Sequence, residues 1–186
     1  MALRKEGHFY YLNFVIILLM KKIYLATDHA GFDHKNRVRD LLETEEFSSQ
    51  YTVIDCGAFV MDPKDDYPDF IKKAAAAVSA DPTGSKAIIF GGSGQGEAMA
   101  ANKFPNIQAT VYYGGNTEII NLSREHNDAN VLSIGARFVN ELELEEVVRQ
   151  WLDAELGFAE RHVRRLKKMR DLEHKPFVDR IRSLLG

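Results

Sequence analysis

Phe90-Gly91-Gly92-Ser93-Gly94-Gln95-Gly96-Glu97 brings four glycines, a serine and a carboxylate into eight consecutive residues. The apolar run Ala87-Ile88-Ile89-Phe90 precedes it and the helix-like run Ala98-Met99-Ala100-Ala101-Asn102-Lys103 follows. Strand, glycine loop and helix together form an anion cradle. Glycines let backbone N–H groups turn toward a negative charge, and the helix adds the positive end of its dipole. Glu97 at the end of the loop would repel a permanently bound phosphate. It suits a charge that arises during reaction, with Glu97 moving the proton that creates it. Two plainer readings compete: a first-turn acid that complements the helix dipole, and a tight turn for close packing.

Three further clusters carry polar chemistry. Asp28-His29-Ala30-Gly31 lies where a strand meets a helix, so Asp28 is either an N-cap or a site residue. Ser123-Arg124-Glu125-His126-Asn127-Asp128 reads as a polar helix C-terminus, where the dipole favours His126, or as a second group of site residues. In Glu160-Arg161-His162-Val163-Arg164-Arg165-Leu166-Lys167-Lys168, helical spacing aligns Arg161, Arg165 and Lys168. A solvated basic face explains such a run, and two guanidinium forks one turn apart also match phosphate oxygens. His29 and His34, with Asp28 and Asp33 nearby, lack the three- or four-residue spacing of a helical metal pair, so no metal is expected. The loop matches neither the G-x-G-x-x-G dinucleotide fingerprint nor a P-loop, so no nucleotide cofactor is expected.

These clusters need a frame to bring them together. The chain has 186 residues, 45% hydrophobic and 27% charged, with a net charge of −3. That fits one globular α/β domain and supplies no basic field for nucleic acid. A single cysteine, Cys56, excludes an internal disulfide framework and suits a reducing, cytoplasmic compartment. Phe9 to Met20 is apolar with Arg4-Lys5 upstream, but no small-residue cleavage site follows and the run is short for a membrane span of about 20 residues. Residues 1–19 are therefore expected to be an extension, with Met20 as the natural start and no membrane role.

From Lys22, strands are predicted over 23–27, 51–55, 86–90, 108–113 and 131–134. Helices are predicted over 32–45, 67–80, 117–124, 142–152 and 159–172, with a short one ending at Asn102. Alternation of this kind implies a five-stranded parallel sheet covered on both faces. Ligands of such sheets bind beyond the carboxyl ends of the strands. Asp28-His29, the glycine loop and Gly135-Ala136-Arg137 follow the first, third and fifth strands, so they are predicted to converge on one cleft. The working domain is 20–173, with 174–186 as a tail.

Taken together, Ala26-Thr27-Asp28-His29-Ala30-Gly31-Phe32, Gly91–Glu97 with Ala100-Ala101-Asn102-Lys103, Ser123-Arg124-Glu125-His126-Asn127 and Arg161-His162-Val163-Arg164-Arg165 resemble the type B ribose-5-phosphate isomerase family, which includes galactose-6-phosphate isomerase subunits. The resemblance implies a Rossmann-like three-layer sandwich and a C-terminal helix packed on a partner subunit. It also implies a homodimer with shared sites and aldose–ketose isomerisation without metal or cofactor. By the same resemblance, Asp28 and His126 handle ring opening. His29, Arg137, Arg161 and Arg165 hold phosphate, the last two from the neighbouring subunit. Ser93, Asn127 and the amides of Gly92, Gly94 and Gly96 cradle an enediolate, and Tyr67 borders the sugar.

One branch of the family places a cysteine base just before the loop, where this chain has Gly91. The other uses a glutamate after it, which Glu97 resembles. The expected reaction is interconversion of ribose 5-phosphate and ribulose 5-phosphate with Glu97 as base. A six-carbon sugar phosphate such as allose or galactose 6-phosphate is the alternative substrate. A non-catalytic sugar-phosphate-binding protein is the alternative class.

Overall fold

The computed structural model describes residues 20–173, so the predicted extension 1–19 and tail 174–186 lie outside the described residues. Five strands, β1 (Lys21–Thr27), β2 (Tyr51–Asp55), β3 (Ser85–Gly91), β4 (Ala109–Tyr112) and β5 (Val131–Gly135), pair in parallel in the order β2-β1-β3-β5-β4. Seven α-helices accompany them among the described residues: α1 (Phe32–Leu42), α2 (Glu45–Ser48), α3 (Tyr67–Ala80), α4 (Gln95–Ala101), α5 (Glu118–Glu125), α6 (Glu141–Asp153) and α7 (Glu160–Glu173). None of the helices in the described residues is long and apolar enough to cross a membrane.

The sheet separates two cores. Leu25, Ile88, Phe90 and Leu132 face Val38, Ile120, Val147 and Trp151 on one side. Ala26, Ala87, Ile89 and Val131 face Ile71, Ala74, Ala75 and Val78 on the other. Successive strand residues point to opposite faces, so an uninterrupted apolar run such as 87–90 is what a strand buried on both sides requires. Full burial of each large side chain contributes about 1.5–3 kcal/mol.

Two local features matter for the site. The helix predicted over 32–45 stops at Leu42, because the Thr44 hydroxyl donates to Leu41 O at 2.7 Å and Thr44 turns extended, at φ −65 and ψ 161. Such side-chain bonding competes with helical propagation, and the restart as α2 drives Phe47 into the core. On α1, Lys35 is only 1% exposed. Its Nζ donates to both Asp55 oxygens, at 2.8 and 2.6 Å, and to Ala58 O at 2.7 Å. The pair fixes the end of β2 and the chain that leaves it.

Candidate active site

Strand order reverses between β1 and β3, since the chain passes from β1 outward to β2 and returns to β3 on the other side. Their carboxyl ends diverge there and open a crevice. Asp28 follows β1 and lies 7% exposed, its Oδ1 accepting the Ala30 N–H at 2.9 Å. Capping is thus one part of what Asp28 does. Thr27 Oγ1 reaches across to Phe90 O at 3.1 Å, and the Ala136 and Arg137 N–H groups donate to Gly91 O and Gly92 O at 2.9 and 3.2 Å. The three segments expected to converge after β1, β3 and β5 are therefore tied together.

In the loop, glycine makes room for side chains. A Cβ at position 91 would overlap the Glu97 carboxylate. At position 92 it would lie 2.8 Å from the Arg137 guanidinium carbon, and at 96 it would lie 2.8 Å from the Tyr67 hydroxyl. Gly94 has φ +75, a left-handed conformation that carries the chain into α4. Its carbonyl accepts the Ser133 hydroxyl at 2.6 Å. Ser93 stays at the mouth, its Oγ 3.4 Å from the Gln95 N–H.

Glu97 is 4% exposed. Burial raises its carboxyl above the usual range and the nearby Asp28 adds to this, while Arg137 opposes both. A carboxylate poised above its ordinary range is a better base near neutral pH.

The structure adds Asp65, a residue that sequence reasoning did not single out. Its Oδ1 lies 2.7 Å from His29 Nδ1 and accepts the His29 N–H at 3.1 Å. That contact raises the His29 pKa, with smaller contributions from the charges of Asp28 and Asp65, against burial and Arg137. Asp65 Oδ2 is buried without a partner. The available signal was Asp65-Asp66-Tyr67-Pro68, a pair of acids at a helix start, but 36 residues separate Asp65 from His29.

Asp28, His29 and Asp65 also bring three possible metal-ligand atoms within 4.8 Å of one another. His29 Nδ1 and Asp65 Oδ1 already satisfy each other, so a cation there would have to break that bond. His34, the other histidine considered, instead bonds Val139 O through Nε2 at 2.8 Å.

The remaining predicted residues lie elsewhere. His126 and Asn127 follow α5 and precede β5, so they sit at the amino-terminal edge of the sheet, opposite the crevice. The His126 ring meets the His162 ring with centroids 4.0 Å apart, and Arg161 Nε donates to His162 Nε2 at 2.8 Å. Burial, with the nearby His126 and Arg161, lowers the His162 pKa. Helix α7 buries His162 and Leu166 against its own subunit and leaves Arg161 and Arg165 exposed. Within one chain the site is thus split. Asp28, His29, Tyr67, Ser93, Glu97 and Arg137 gather with Gly92, Gly94 and Gly96 at one end of the sheet. His126, Asn127, Arg161 and Arg165 lie at the other.

The family profile described as Ribose/Galactose Isomerase matches residues 23–169. The chain belongs to this family. It is an enzyme of the sugar-phosphate isomerase class. Ribose-5-phosphate isomerase B of Mycolicibacterium paratuberculosis is 39% identical over 152 residues, covering 82% of this chain and 91% of that protein. The Mycobacterium tuberculosis enzyme of the same name is 38% identical, with 82% and 90% covered.

Among solved structures, ribose-5-phosphate isomerase B from Mycoplasma genitalium with bound ribulose 5-phosphate superposes with a TM-score of 0.77. It shares 32% identity, with 83% of this chain and 97% of that one covered. The Clostridium thermocellum ribose-5-phosphate isomerase B gives 0.73 at 38% identity, with 82% and 97% covered. The expected fold of this isomerase family is therefore the one observed.

Proposed function

We propose that this isomerase interconverts ribose 5-phosphate and ribulose 5-phosphate through an enediolate, with Glu97 as the base. The observation that carries the reading is the Glu97 carboxylate itself. It is buried over Gly91 at the glycine loop, beside the pair of Asp28 and Arg137. The substrate class is supported by relatives named for ribose 5-phosphate and by a neighbour that holds ribulose 5-phosphate.

The open-chain sugar lies with C1 and C2 at the loop and its phosphate toward His29 and Arg137. Glu97 removes the C2 proton and returns it to C1. The N–H groups around Ser93 and Gly94–Gly96 meet the developing oxyanion, each such donor being worth about 2.7–4 kcal/mol in comparable sites. Asp28 shuttles the ring-opening proton together with His126, and Tyr67 walls the sugar.

His126, Asn127, Arg161 and Arg165 reach this crevice from a second copy of the chain. Two features support a twofold assembly. The edge strand β4 is open, and Met99, Tyr113, Ile119 and Phe138 are each more than half exposed close to it and the loop. Apolar side chains gathered in this way mark a contact surface. The half-buried, sole Cys56 suits a cytoplasmic setting.

The deciding assay follows formation of ribulose 5-phosphate from ribose 5-phosphate, with and without chelator, for the parent and Glu97→Gln. Parent turnover that survives chelation, together with a variant slowed about 10²–10⁴-fold, is the expected result. Near-parental turnover by Glu97→Gln would overturn the role of Glu97. Faster turnover of allose or galactose 6-phosphate would move the substrate assignment to six carbons, which the family's ribose/galactose description favours as the second reading.

A further inference from the structure

At the amino-terminal edge of the sheet lies a cavity of about 330 Å³ lined by Lys21, Ser85, Lys86, Arg124, Asp128 and Glu155, among others. It is separate from the crevice. Lys86 stands at the start of β3 and Gly91 at its end, five residues or roughly 16 Å along the strand. Nor do His126, Asn127, Arg161 or Arg165 line it.

Its chemistry is unusual. Lys86 Nζ lies 5.2 Å from the Trp151 ring centroid, and the Arg124 guanidinium lies 5.8 Å from the same centroid. One buried indole therefore holds two cations near each other. Arg124 is anchored, donating to Ala129 O at 2.6 Å, Asp128 Oδ1 at 3.1 Å and Ala154 O at 3.3 Å. Neither the Lys86 nor the Lys21 side chain has an ion pair or hydrogen bond among the described residues. Burial pulls the Lys86 amine down to about 7, and Arg124 and Lys21 add to that, against Asp128 and Glu155. A part-buried amine beside a fixed guanidinium gains from an anion.

We propose that this cavity is a second binding site, taking a small phosphate-bearing anion held by Lys86, Lys21 and Arg124. Asp128 and Glu155 on the same wall would accept hydrogen bonds from hydroxyls carried by a phosphorylated polyol. Anion binding favours the charged amine, so at pH 8 it is accompanied by net proton uptake at Lys86.

The test is calorimetric titration of the full chain at pH 8 with inorganic phosphate and, separately, ribose 5-phosphate, in buffers of differing ionisation enthalpy. Two phosphates per protomer are expected, one of them taking up its proton at Lys86. Lys86→Met should weaken that one at least tenfold while leaving turnover of saturating ribose 5-phosphate unchanged. Lys86→Arg should keep it without the proton uptake. Arg137→Ala should remove only the other phosphate. If inorganic phosphate alone fills the second site, the ligand is the free anion; if ribose 5-phosphate also does, it is a sugar phosphate. A single phosphate per protomer, or a second one indifferent to Lys86→Met, would overturn the proposal.

Discussion

As the proposed base, Glu97 must be ionised to take a proton from carbon, yet its burial favours the neutral acid. The acid limb of kcat/KM should therefore lie above the ordinary carboxylate range near 4.5, activity falling as pH drops through that raised value. The linkage has the opposite sign for stability. A carboxyl raised by folding binds its proton more tightly in the native state, so the stability this lends is lost as pH climbs from the ordinary value near 4.5 through the raised one. Glu97→Gln should accordingly melt no lower than the parent at pH 7 while losing isomerisation, as a thermal scan beside the activity assay would reveal.

His29 runs the other way, since its contact with Asp65 keeps it cationic to higher pH. Asp65→Asn should raise KM for the sugar phosphate, leave kcat nearly unchanged, and move the rise of KM with pH to lower values. A pH profile of KM for the two proteins checks this. Asp65 escaped the sequence reading because only the folded loop joins it to a histidine 36 residues away. The 3-10 turn His29–Gly31 capped by Asp28 and the start of α3 at Tyr67 were legible because capping residues and proline act locally.

At the scale of elements, the Lys35–Asp55 pair decides how β2 hands the chain to the segment that carries Asp65. Replacing Lys35 by Met would strand a largely buried carboxylate and should cost about 3–5 kcal/mol in a urea melt. The exposed Lys72–Asp69 pair within α3 is open to water, so Lys72→Met should leave the same melt nearly unchanged. Gly94→Ala would force φ +75 on a residue with a side chain, at about 1–2 kcal/mol, and would press on Gly135 N at 3.1 Å.

Strand periodicity was plain because β1 and β3 are buried on both faces and read as continuous apolar runs. The interruption at Thr44 was not plain, since a single hydroxyl-to-carbonyl bond ends α1 without glycine or proline. The glycines of the loop were visible, and the sequence suggested either bared N–H groups or a tight turn for close packing. That Gly91, Gly92 and Gly96 admit Glu97, Arg137 and Tyr67 depends on side chains from three separate elements.

For the whole molecule, the separation of the two residue groups to opposite ends of the sheet makes a sharp prediction. If the second group serves a neighbouring subunit, Glu97→Gln and Arg161→Ala proteins, each inactive alone, should recover activity when unfolded together and refolded as a mixture. A mixed dimer would hold one intact site and one doubly impaired site. Statistical mixing would then restore roughly a quarter of parental activity. Sites built from one chain would recover none. The four motifs were readable along the sequence, and the resemblance already gave Arg161 and Arg165 to the neighbouring subunit, but that His126 and Asn127 share their pole follows from the direction in which α5 and β5 run.

Gly91 and Glu97 also constrain descent. A side chain at 91 and the carboxylate of 97 claim the same space, so a residue added at 91 must turn the proposed base aside. On the proposed mechanism, Gly91→Cys alone displaces the base, and loss of Glu97 alone removes it. On that mechanism, a lineage that exchanges one base for the other does so most readily by changing both positions of this loop together.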